Sequence, residues 1–274
     1  MKLSLVISTY ERPDALAAVL ASVAAQSRLP DELIVADDGS GASTAAVIAS
    51  WARRLRCPTQ HRWQPKRGFR LTRLRNMAIA AASGDYLVFV DGDMLLHPDF
   101  IADHAMLARA GFFTQGVRIQ LNETLTRMVL TNDALTGIST PAQPLRLRPW
   151  MSGLGLLRRL YLLRSPLLAR LLRRCGNWLI SIKGCNQGFW RTDLLRVNGF
   201  DETMTGWGPE DKEMCARLTH AGVMRQSLLA GGIAFHLTHP PASRDAIAGN
   251  RAVLAETLAL KRIRCEHGLD AHLR

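Results

Sequence analysis

Short apolar runs alternate with amphipathic stretches over residues 1–110. The runs at 3–8, 32–36 and 86–90 have the length and composition of buried β-strands, and 60–63 is expected to form an edge strand. Helices are predicted over 15–25 after Pro13, over 41–54, and from Leu71 onward, where apolar residues repeat at helical spacing. This alternation predicts an α/β fold with a Rossmann-like, mostly parallel central sheet flanked by helices.

The pattern is less regular in the rest of the chain. Strands are predicted over 112–120 and 227–237, and helices over 97–110, 209–220 and 244–267. Pro209 suits the first position of its helix, and Gly222 is a stop signal. No repeat is visible between 121 and 177. We therefore expect a single domain interrupted by an insertion.

Two carboxylates, Asp91 and Asp93, directly follow the apolar run at 86–90. A buried, ionised pair of carboxylates repels itself, so a hard divalent cation is its natural partner. A polar turn, with Gly92 supplying backbone freedom, is the alternative. His236 and His239 follow a later strand, and imidazole can complete a mixed oxygen and nitrogen shell for manganese or a similar ion.

Other polar side chains are expected at the same edge of the sheet. Ser8, Thr9 and the pair Asp37 and Asp38 follow the first two predicted strands, although the aspartates could instead cap the helix over 41–54. Arg75 stands one helix before Asp91-Gly-Asp93 and could face an anionic ligand. A solvated basic helix face is the alternative for this arginine.

The stretch Gly206-Trp-Gly-Pro-Glu-Asp211 places two acids in the first turn of a helix. Acids are common there because the helix dipole favours them. A flexible Gly-Trp-Gly loop is nevertheless an unusual start for an ordinary helix, which favours a functional role. The small residues of Lys183-Gly-Cys-Asn-Gln-Gly188 similarly indicate backbone lying close to a ligand or to another strand.

The net charge of +12 is concentrated in one segment. Residues 134–192 contain ten Lys or Arg and no Asp or Glu. In the rest of the chain the positive and negative charges nearly balance. Leucines within 145–174 fit a helical stripe, so this segment is expected to contact an anionic membrane surface, with a lid or a clamp for phosphates as the alternatives. The confined charge and the few aromatic residues around it argue against a nucleic-acid-binding protein.

The amino-acid composition further narrows the class of protein. A hydrophobic content of 47% supports a sizeable core, and no run approaches the ~20 apolar residues of a membrane span. No leader-like segment is visible at the start, so a cytoplasmic location is expected, with peripheral contact at the inner face of the membrane. Five cysteines without C-x-x-C spacing are expected to be reduced thiols.

Several motifs resemble those of the family-2 inverting glycosyltransferases of the GT-A fold: Val6-Ile-Ser-Thr-Tyr10, Asp37-Asp-Gly-Ser40, Arg75-Asn76 and Asp91-Gly-Asp93. The later Gly206-Trp-Gly-Pro-Glu-Asp211 resembles the C-terminal motif of galactosyltransferase and chondroitin-polymerase domains, with Pro209 where many relatives have glycine. The resemblance implies a nucleotide-sugar-binding half (1–117) and an acceptor-binding and catalytic half (182–240). The basic insertion between them (118–181) departs from the family pattern, and a C-terminal helix (241–274) is expected to follow.

The resemblance also implies a role for each matched residue on the donor side. Asp38, Ser8 and Thr9 would hold the uracil and ribose of a UDP-sugar, with Glu11 assigned to the same site, and Arg75 would approach the diphosphate. Asp91 would lie near the ribose and the metal. The ligands of Mn²⁺ or Mg²⁺ would be Asp93, Asp91 and His236, with His239 as the close second choice to His236.

On the acceptor side, the resemblance assigns Asp211 as the base that removes the proton of the incoming hydroxyl. Glu210 would hydrogen-bond acceptor hydroxyls, and Trp207 would stack on a sugar ring. Gly208 and Asn186 are also assigned to substrate binding. The acceptor is expected to be a glycan or a glycolipid, as in synthesis of lipopolysaccharide core or surface polysaccharide. A sugar-phosphate nucleotidyltransferase is the alternative enzyme, although no glycine-rich phosphate loop follows the first strand.

Overall fold

A computed structural model describes residues 1–131, 174–176 and 182–273. The strands are β1 (Leu3–Thr9), β2 (Glu32–Asp37), β3 (Thr59–Trp63), β4 (Tyr86–Asp91), β5 (Met94–Leu96), β6 (Phe112–Gln115), β7 (Val117–Gln120), β8 (Arg174–Gly176), β9 (Asn186–Trp190), β10 (Met224–Ser227) and β11 (Ile233–His236). The helices are α1 (Pro13–Ala24), α2 (Ala42–Ala52), α3 (Leu71–Ala81), α4 (Phe100–Leu107), α5 (Glu123–Leu130), α6 (Arg191–Val197), α7 (Glu210–His220) and α8 (Ile247–Ala259), followed by a 3-10 turn at Leu269–His272.

The large sheet has the strand order β3-β2-β1-β4-β9-β6-β10-β8. The pairs β1–β2, β1–β4, β2–β3 and β6–β10 are parallel, whereas β9 runs antiparallel between β4 and β6. In this register Ser8 lies opposite both Ala36 and Asp91, and Thr9 lies opposite Asp37. The carboxyl ends of three neighbouring strands therefore meet at one edge, as the sequence predicted.

A smaller sheet, β5-β11-β7, continues the chain from the Asp91-Gly-Asp93 turn. Its antiparallel β5–β11 pair places Met94 opposite His236, and the amide of Leu237 donates to the carbonyl of Asp93 at 3.0 Å. Two segments far apart in sequence are thus locked side by side. The register of this pair, rather than any local signal, brings His236 to Asp93.

The sheet is buried on both faces because its strands alternate side chains between two helical layers. Leu5 and Ile7 of β1 pack on the face covered by α1, while Val6 packs on the face covered by α3. All three are fully buried. This two-sided burial explains the continuous apolar runs that predicted the strands.

Several predicted elements are placed differently by the structure. The stretch 112–120 is two strands, and the stretch 227–237 contains the last residue of β10 followed by β11. In both stretches the chain leaves the large sheet and enters the small one, near Gly116 and again before Gly232, which has a φ of +58°. Residues 118–131, assigned from the sequence to the insertion, form β7 and α5 of the fold. The C-terminal helix is shorter than predicted and ends at Ala259.

The basic, leucine-bearing stretch at 145–174 lies almost wholly outside the described residues, so its membrane or lid role stays a prediction. Among the described helices, none has both the length and the apolarity needed to cross a membrane. Four cysteines of the described part are unpaired and buried: Cys57, Cys185, Cys215 and Cys265.

Candidate active site

A cleft of about 830 Å³ opens at the carboxyl ends of β1, β2 and β4. Among the residues that line it are most of those singled out from the sequence: Ser8, Thr9, Asp38, Arg75, Asp91, Asp93, Trp207, Gly208, Glu210, Asp211, His236 and His239. A sheet edge, the small sheet and the start of α7 each supply one wall. The donor-side and acceptor-side motifs, which are far apart in sequence, therefore share one cavity.

Asp93 stands at the centre of a group of three metal-ligating side chains. Its Oδ1 lies 3.6 Å from Nε2 of His236, and its Oδ2 lies 3.2 Å from Nε2 of His239. One ligand atom from each residue lies within 4.8 Å of the others. Asp91, which the sequence also assigned to the metal, is outside this group and pairs with Arg75 instead.

The electrostatics of this group suit a cation. Burial and the neighbouring Asp91 raise the pKa of Asp93 to about 6, while burial and nearby positive charges lower the pKa of His236 to about 4. His236 is consequently neutral near pH 7, which is the ligand form of imidazole. Oδ1 of Asp93 is buried and accepts no hydrogen bond within the described part of the chain. One carboxylate and two imidazoles form a mixed oxygen and nitrogen ligand set of the kind that binds divalent first-row transition-metal ions.

Arg75 connects the two acidic parts of the cleft. The side chain leaves α3, is 1% exposed, and places Nη2 3.1 Å from Oδ1 of Asp91 and Nη1 3.8 Å from Oε1 of Glu210. Its Nη2 also donates to the carbonyl of Gly184 at 3.3 Å, and the guanidinium lies over the ring of Phe200. The notion of a merely solvated arginine is therefore wrong for Arg75.

The carboxylate of Asp211 is held in a fixed orientation. Its Oδ2 accepts from the amide of Gly184 at 2.7 Å, and its Oδ1 accepts from the amide of Lys212 at 2.7 Å. Burial raises the pKa of Asp211 above its usual value, and burial together with Asp211 raises the pKa of Glu210 to about 8. Two acids with raised pKa values beside a cation are typical of sites that move protons.

The end of the cleft next to β2 is built around Asp38, which is 3% exposed. Its carboxylate accepts from Gln64 at 2.6 Å, from Nζ of Lys66 at 3.2 Å and from the amide of Arg70 at 3.3 Å. The hydroxyls of Ser8 and Thr9 are buried and bond to no other described group, which leaves them available to a ligand.

Two residues assigned to ligand binding from the sequence, Glu11 and Asn186, are not among the residues that line this cleft. The carboxylate of Glu11 accepts from the amide of Gly41 at 2.7 Å and so takes the place of a cap on α2. Asn186 is fully buried, and its amide bonds His104, Val117 and Gly232, joining the two sheets. Asp37 does not cap α2 either. It accepts from Ser40 and pairs with His61.

Arg12 and Gln64 also bond to residues of the cleft, although no role was predicted for either from the sequence. Nη1 of Arg12 lies 3.0 Å from Oδ2 of Asp93, and Gln64 links Asp38 to Arg73 and to the carbonyl of Arg70. Arg12 stands beside Pro13 at the start of α1 and follows the carboxyl end of β1. That position in the sequence could have identified Arg12 as a residue of the cleft. Gln64 follows an edge strand and carried no comparable signal.

Two family models match the chain. One, described as glycosyl transferase family 2, matches residues 4–157. The other, described as the N-terminal domain of galactosyltransferase, matches residues 173–240. Together the matched ranges contain all of the motifs quoted from the sequence.

Curated relatives include a validoxylamine A glucosyltransferase of Streptomyces hygroscopicus subsp. limoneus, which is 30% identical over 244 residues covering 81% of this chain and 48% of that protein. Chondroitin synthase of Escherichia coli is 26% identical over 256 residues, covering 87% of this chain and 35% of that protein. The chain thus spans about half, or less, of the length of these relatives.

Solved structures share the fold. S. aureus TarS 1–349 superposes with a TM-score of 0.62 at 13% identity, covering 99% of this chain and 68% of that chain. The mannosyltransferase PcManGT from Pyrobaculum calidifontis, solved with GDP-Man and Mn²⁺, gives a TM-score of 0.56 at 17% identity, covering 94% of this chain and 61% of that chain. At such identities the likeness shows the fold alone, and it confirms the predicted GT-A architecture.

Proposed function

The chain belongs to glycosyl transferase family 2, and from that premise we propose that it transfers a sugar from a UDP-sugar to a hydroxyl of a glycan, with inversion and with a divalent cation. The observation that carries the proposal is the contact of Arg75 with both Asp91 and Glu210. A single buried cation links the turn assigned to the donor with the helix start assigned to the acceptor. A donor and an acceptor bound in this cleft would meet beside it.

Donor binding follows from the polar groups at the sheet edge. Asp38, Ser8 and Thr9 supply one carboxylate and two unsatisfied hydroxyls, which suit the polar edge of a uracil and the hydroxyls of a ribose. S. aureus TarS 1–349 was solved in complex with UDP and with UDP-GlcNAc, which supports a uridine nucleotide in this fold. Arg75 and Arg12 would face the diphosphate, since both guanidinium groups line the same cleft.

The chain offers a suitable cation site next to that diphosphate. Asp93, His236 and His239 would hold Mn²⁺ or a similar ion, whose charge stabilises the departing diphosphate. PcManGT, with its Mn²⁺, supports this choice of ion. His239 replaces Asp91 in the ligand set, because Asp91 is bonded to Arg75.

The acceptor hydroxyl needs a base, and we assign that role to Asp211. Its two amide contacts hold the carboxylate still, and its raised pKa increases its basicity. Glu210, with a pKa of about 8, keeps its proton near pH 7 and can donate a hydrogen bond to a sugar hydroxyl. Attack on an oxocarbenium-like centre from the face opposite the diphosphate inverts the anomeric carbon.

The test is a panel of UDP-sugars with and without Mn²⁺, scored for release of UDP and for transfer to glycans. Asp211→Asn should lower transfer by roughly 10²-fold or more while donor affinity stays within about threefold. Asp14→Asn, an exposed aspartate of α1, is the matched control and should behave like wild type. Normal transfer by Asp211→Asn would refute its role as base.

Metal binding is tested without turnover. The signal of free Mn²⁺ in electron paramagnetic resonance should fall as protein is added, and Asp93→Ala should abolish that fall. Equal binding of Mn²⁺ by Asp93→Ala would place the ion elsewhere.

The basic segment extends the proposal to a lipid-linked acceptor at the cytoplasmic face of a membrane. The eight arginines within 145–174 would attract anionic headgroups, each contributing ~1 kcal/mol near the surface. Flotation with anionic liposomes tests the idea. Protein that stays at the bottom of the gradient would exclude it.

A further inference from the structure

The cleft has a cationic rim on the side of Trp207. Lys212, Arg244 and Arg251 all line it, and the acids among the lining residues after position 206 are Glu210 and Asp211. Both acids are already engaged, Asp211 with two amides and Glu210 with Arg75. Within residues 1–131, 174–176 and 182–273, none of the three rim cations forms an ion pair with a carboxylate. The three rim cations are therefore not held in ion pairs by the described carboxylates, although the charge of Lys212 lowers the pKa of the adjacent Asp211.

The rim is built on a tight contact between α8 and the loop that carries Trp207. A Cβ on Gly208 would lie 2.4 Å from Nδ2 of Asn250, and one on Gly206, whose φ is +73°, would lie 2.5 Å from Cβ of Ala246. Nδ2 of Asn250 also donates to the carbonyl of Thr205 at 3.0 Å. The two glycines are thus required because α8 lies directly on the loop backbone.

This contact fixes the cations relative to the aromatic ring. Arg244 immediately precedes α8, with its guanidinium carbon 5.3 Å from the centroid of Trp207. Arg251 follows Asn250 and stands one helical turn after Ile247, which also lines the cleft. Trp207 itself is 41% exposed, so part of its surface is open to a ligand. The exposed aromatic side chain of Trp207 therefore lies beside the positively charged side chain of Arg244, in a cleft that Arg251 also lines.

The three cations would contribute little to the binding of a neutral saccharide. Sugar hydroxyls interact weakly with a cation, and the approach of the sugar removes water from the cations. A carboxylate or a phosphate would pair with them, and the fork of an arginine matches either group with two hydrogen bonds. The donor diphosphate has its own partners in Arg12 and Arg75, beside Asp93 and Asp91. We propose that the acceptor is an anionic glycan, whose carboxylate or phosphate binds Arg244, Arg251 and Lys212 while a sugar ring stacks on Trp207.

This inference rests on the proposed function and is tested by binding. Wild-type protein with UDP and Mn²⁺ is applied to a glycan array that presents each saccharide in three matched forms: with a uronic acid, with a phosphate ester, and as the neutral sugar. Retention of carboxylated or phosphorylated glycans at least about tenfold above the neutral forms is expected. Which of the two anions prevails identifies the source of the charge. Equal retention of neutral forms, or no retention of anionic ones, overturns the inference.

Arg244→Gln and Arg251→Gln locate the effect, and both are exposed positions where the substitution leaves the fold intact. Each should reduce retention of anionic glycans roughly tenfold and change retention of neutral ones by less than about twofold. Arg53→Gln, an exposed arginine at the end of α2 and away from the cleft lining, is the matched control and should match wild type. Unchanged anion preference in both rim variants would also overturn the proposal.

The two proposals fail in different ways. Release of UDP from a UDP-sugar with water as acceptor reports the proposed function without any glycan. If UDP is released but the array shows no preference for anions, the inference about the acceptor is wrong and the proposed function stands. If the array shows the preference but no UDP-sugar is turned over, the site for an anionic glycan stands and the proposed reaction with a UDP-sugar is wrong.

Discussion

Arg12 places its Nη1 3.0 Å from Oδ2 of Asp93, so the carboxylate at the centre of the candidate metal group is already paired with a protein cation. The contact joins the start of α1 to the turn between β4 and β5. Burial and the neighbouring Asp91 raise the pKa of Asp93, the positive charges of His239 and Arg12 lower it, and the balance leaves it at about 6. Arg12 and a metal ion would therefore share one ligand.

A substitution at Arg12 is expected to strengthen metal binding. Repulsion between the guanidinium and a divalent ion on the same carboxylate is worth about 1–2 kcal/mol in a partly solvated cleft, so Arg12→Gln should raise Mn²⁺ affinity roughly 5–30-fold. Titration followed by electron paramagnetic resonance measures it. Arg28→Gln, at a half-buried arginine near the end of α1, is the control. Weaker binding by Arg12→Gln would mean that Arg12 organises the group.

Glu210→Gln is expected to stabilise the protein in alkaline solution. Because burial and Asp211 raise the pKa of Glu210 from 4.5 to about 8, the folded protein keeps a proton that the unfolded chain loses. The folded state then binds more protons between these values, so stability falls as pH rises from about 4.5 to about 8. Glutamine removes this loss.

Melting temperature of the metal-free and donor-free protein checks this. The difference between Glu210→Gln and wild type should grow from pH 5 to pH 8.5 in favour of the variant. Glu256→Gln, on the exposed face of α8, should show no such trend. A constant difference across this range would show that burial does not perturb Glu210.

Two glycines of the acceptor side should respond in opposite directions to alanine. Gly206→Ala must adopt a φ of +73° and bring its Cβ to 2.5 Å from Ala246, so it should lower the free energy of unfolding by about 1–3 kcal/mol. Gly249→Ala, inside α8 with open space around it, should raise it by about 0.5–1 kcal/mol. Denaturant unfolding measures both. Equal effects would contradict the tight contact between α8 and the Trp207 loop.

A buried ion pair should hold α7, which carries Asp211, in place. Arg217 bonds both carboxylate oxygens of Glu213 at 2.8 and 2.7 Å, and Thr257 of α8 donates to the same carboxylate at 2.9 Å. Arg217→Met leaves that carboxylate buried without its cation and should cost about 3–5 kcal/mol of stability. The double variant Glu213→Leu/Arg217→Met should recover much of the loss. An additive double variant would show that the two residues do not act as a pair.

Local sequence signals were sufficient to predict a residue of the cleft wherever its motif directly follows a strand. The apolar run of β4 followed by Asp91 and Asp93 predicted a strand that ends in a cleft, and the structure places both residues there. The same reasoning did not foresee the hydrogen bonds of Glu11 and Asn186. Both stand in the right stretches, but their side chains bond to groups remote in sequence, and such partners leave no local pattern.

Sequence alone determined the class of the fold, the edge of the sheet that holds the main motifs, and the residues of those motifs. Buried strands and the points where they end can be recognised from residues that are neighbours in the sequence. Tertiary structure alone decided that His236 and His239 both face Asp93, that Arg75 touches Asp91 and Glu210, and that Arg244 and Arg251 border Trp207. These relationships arise from the register of β5 with β11 and from the packing of α8 on a glycine loop. Contacts between distant segments depend on how whole elements pack, and no short stretch of sequence encodes that.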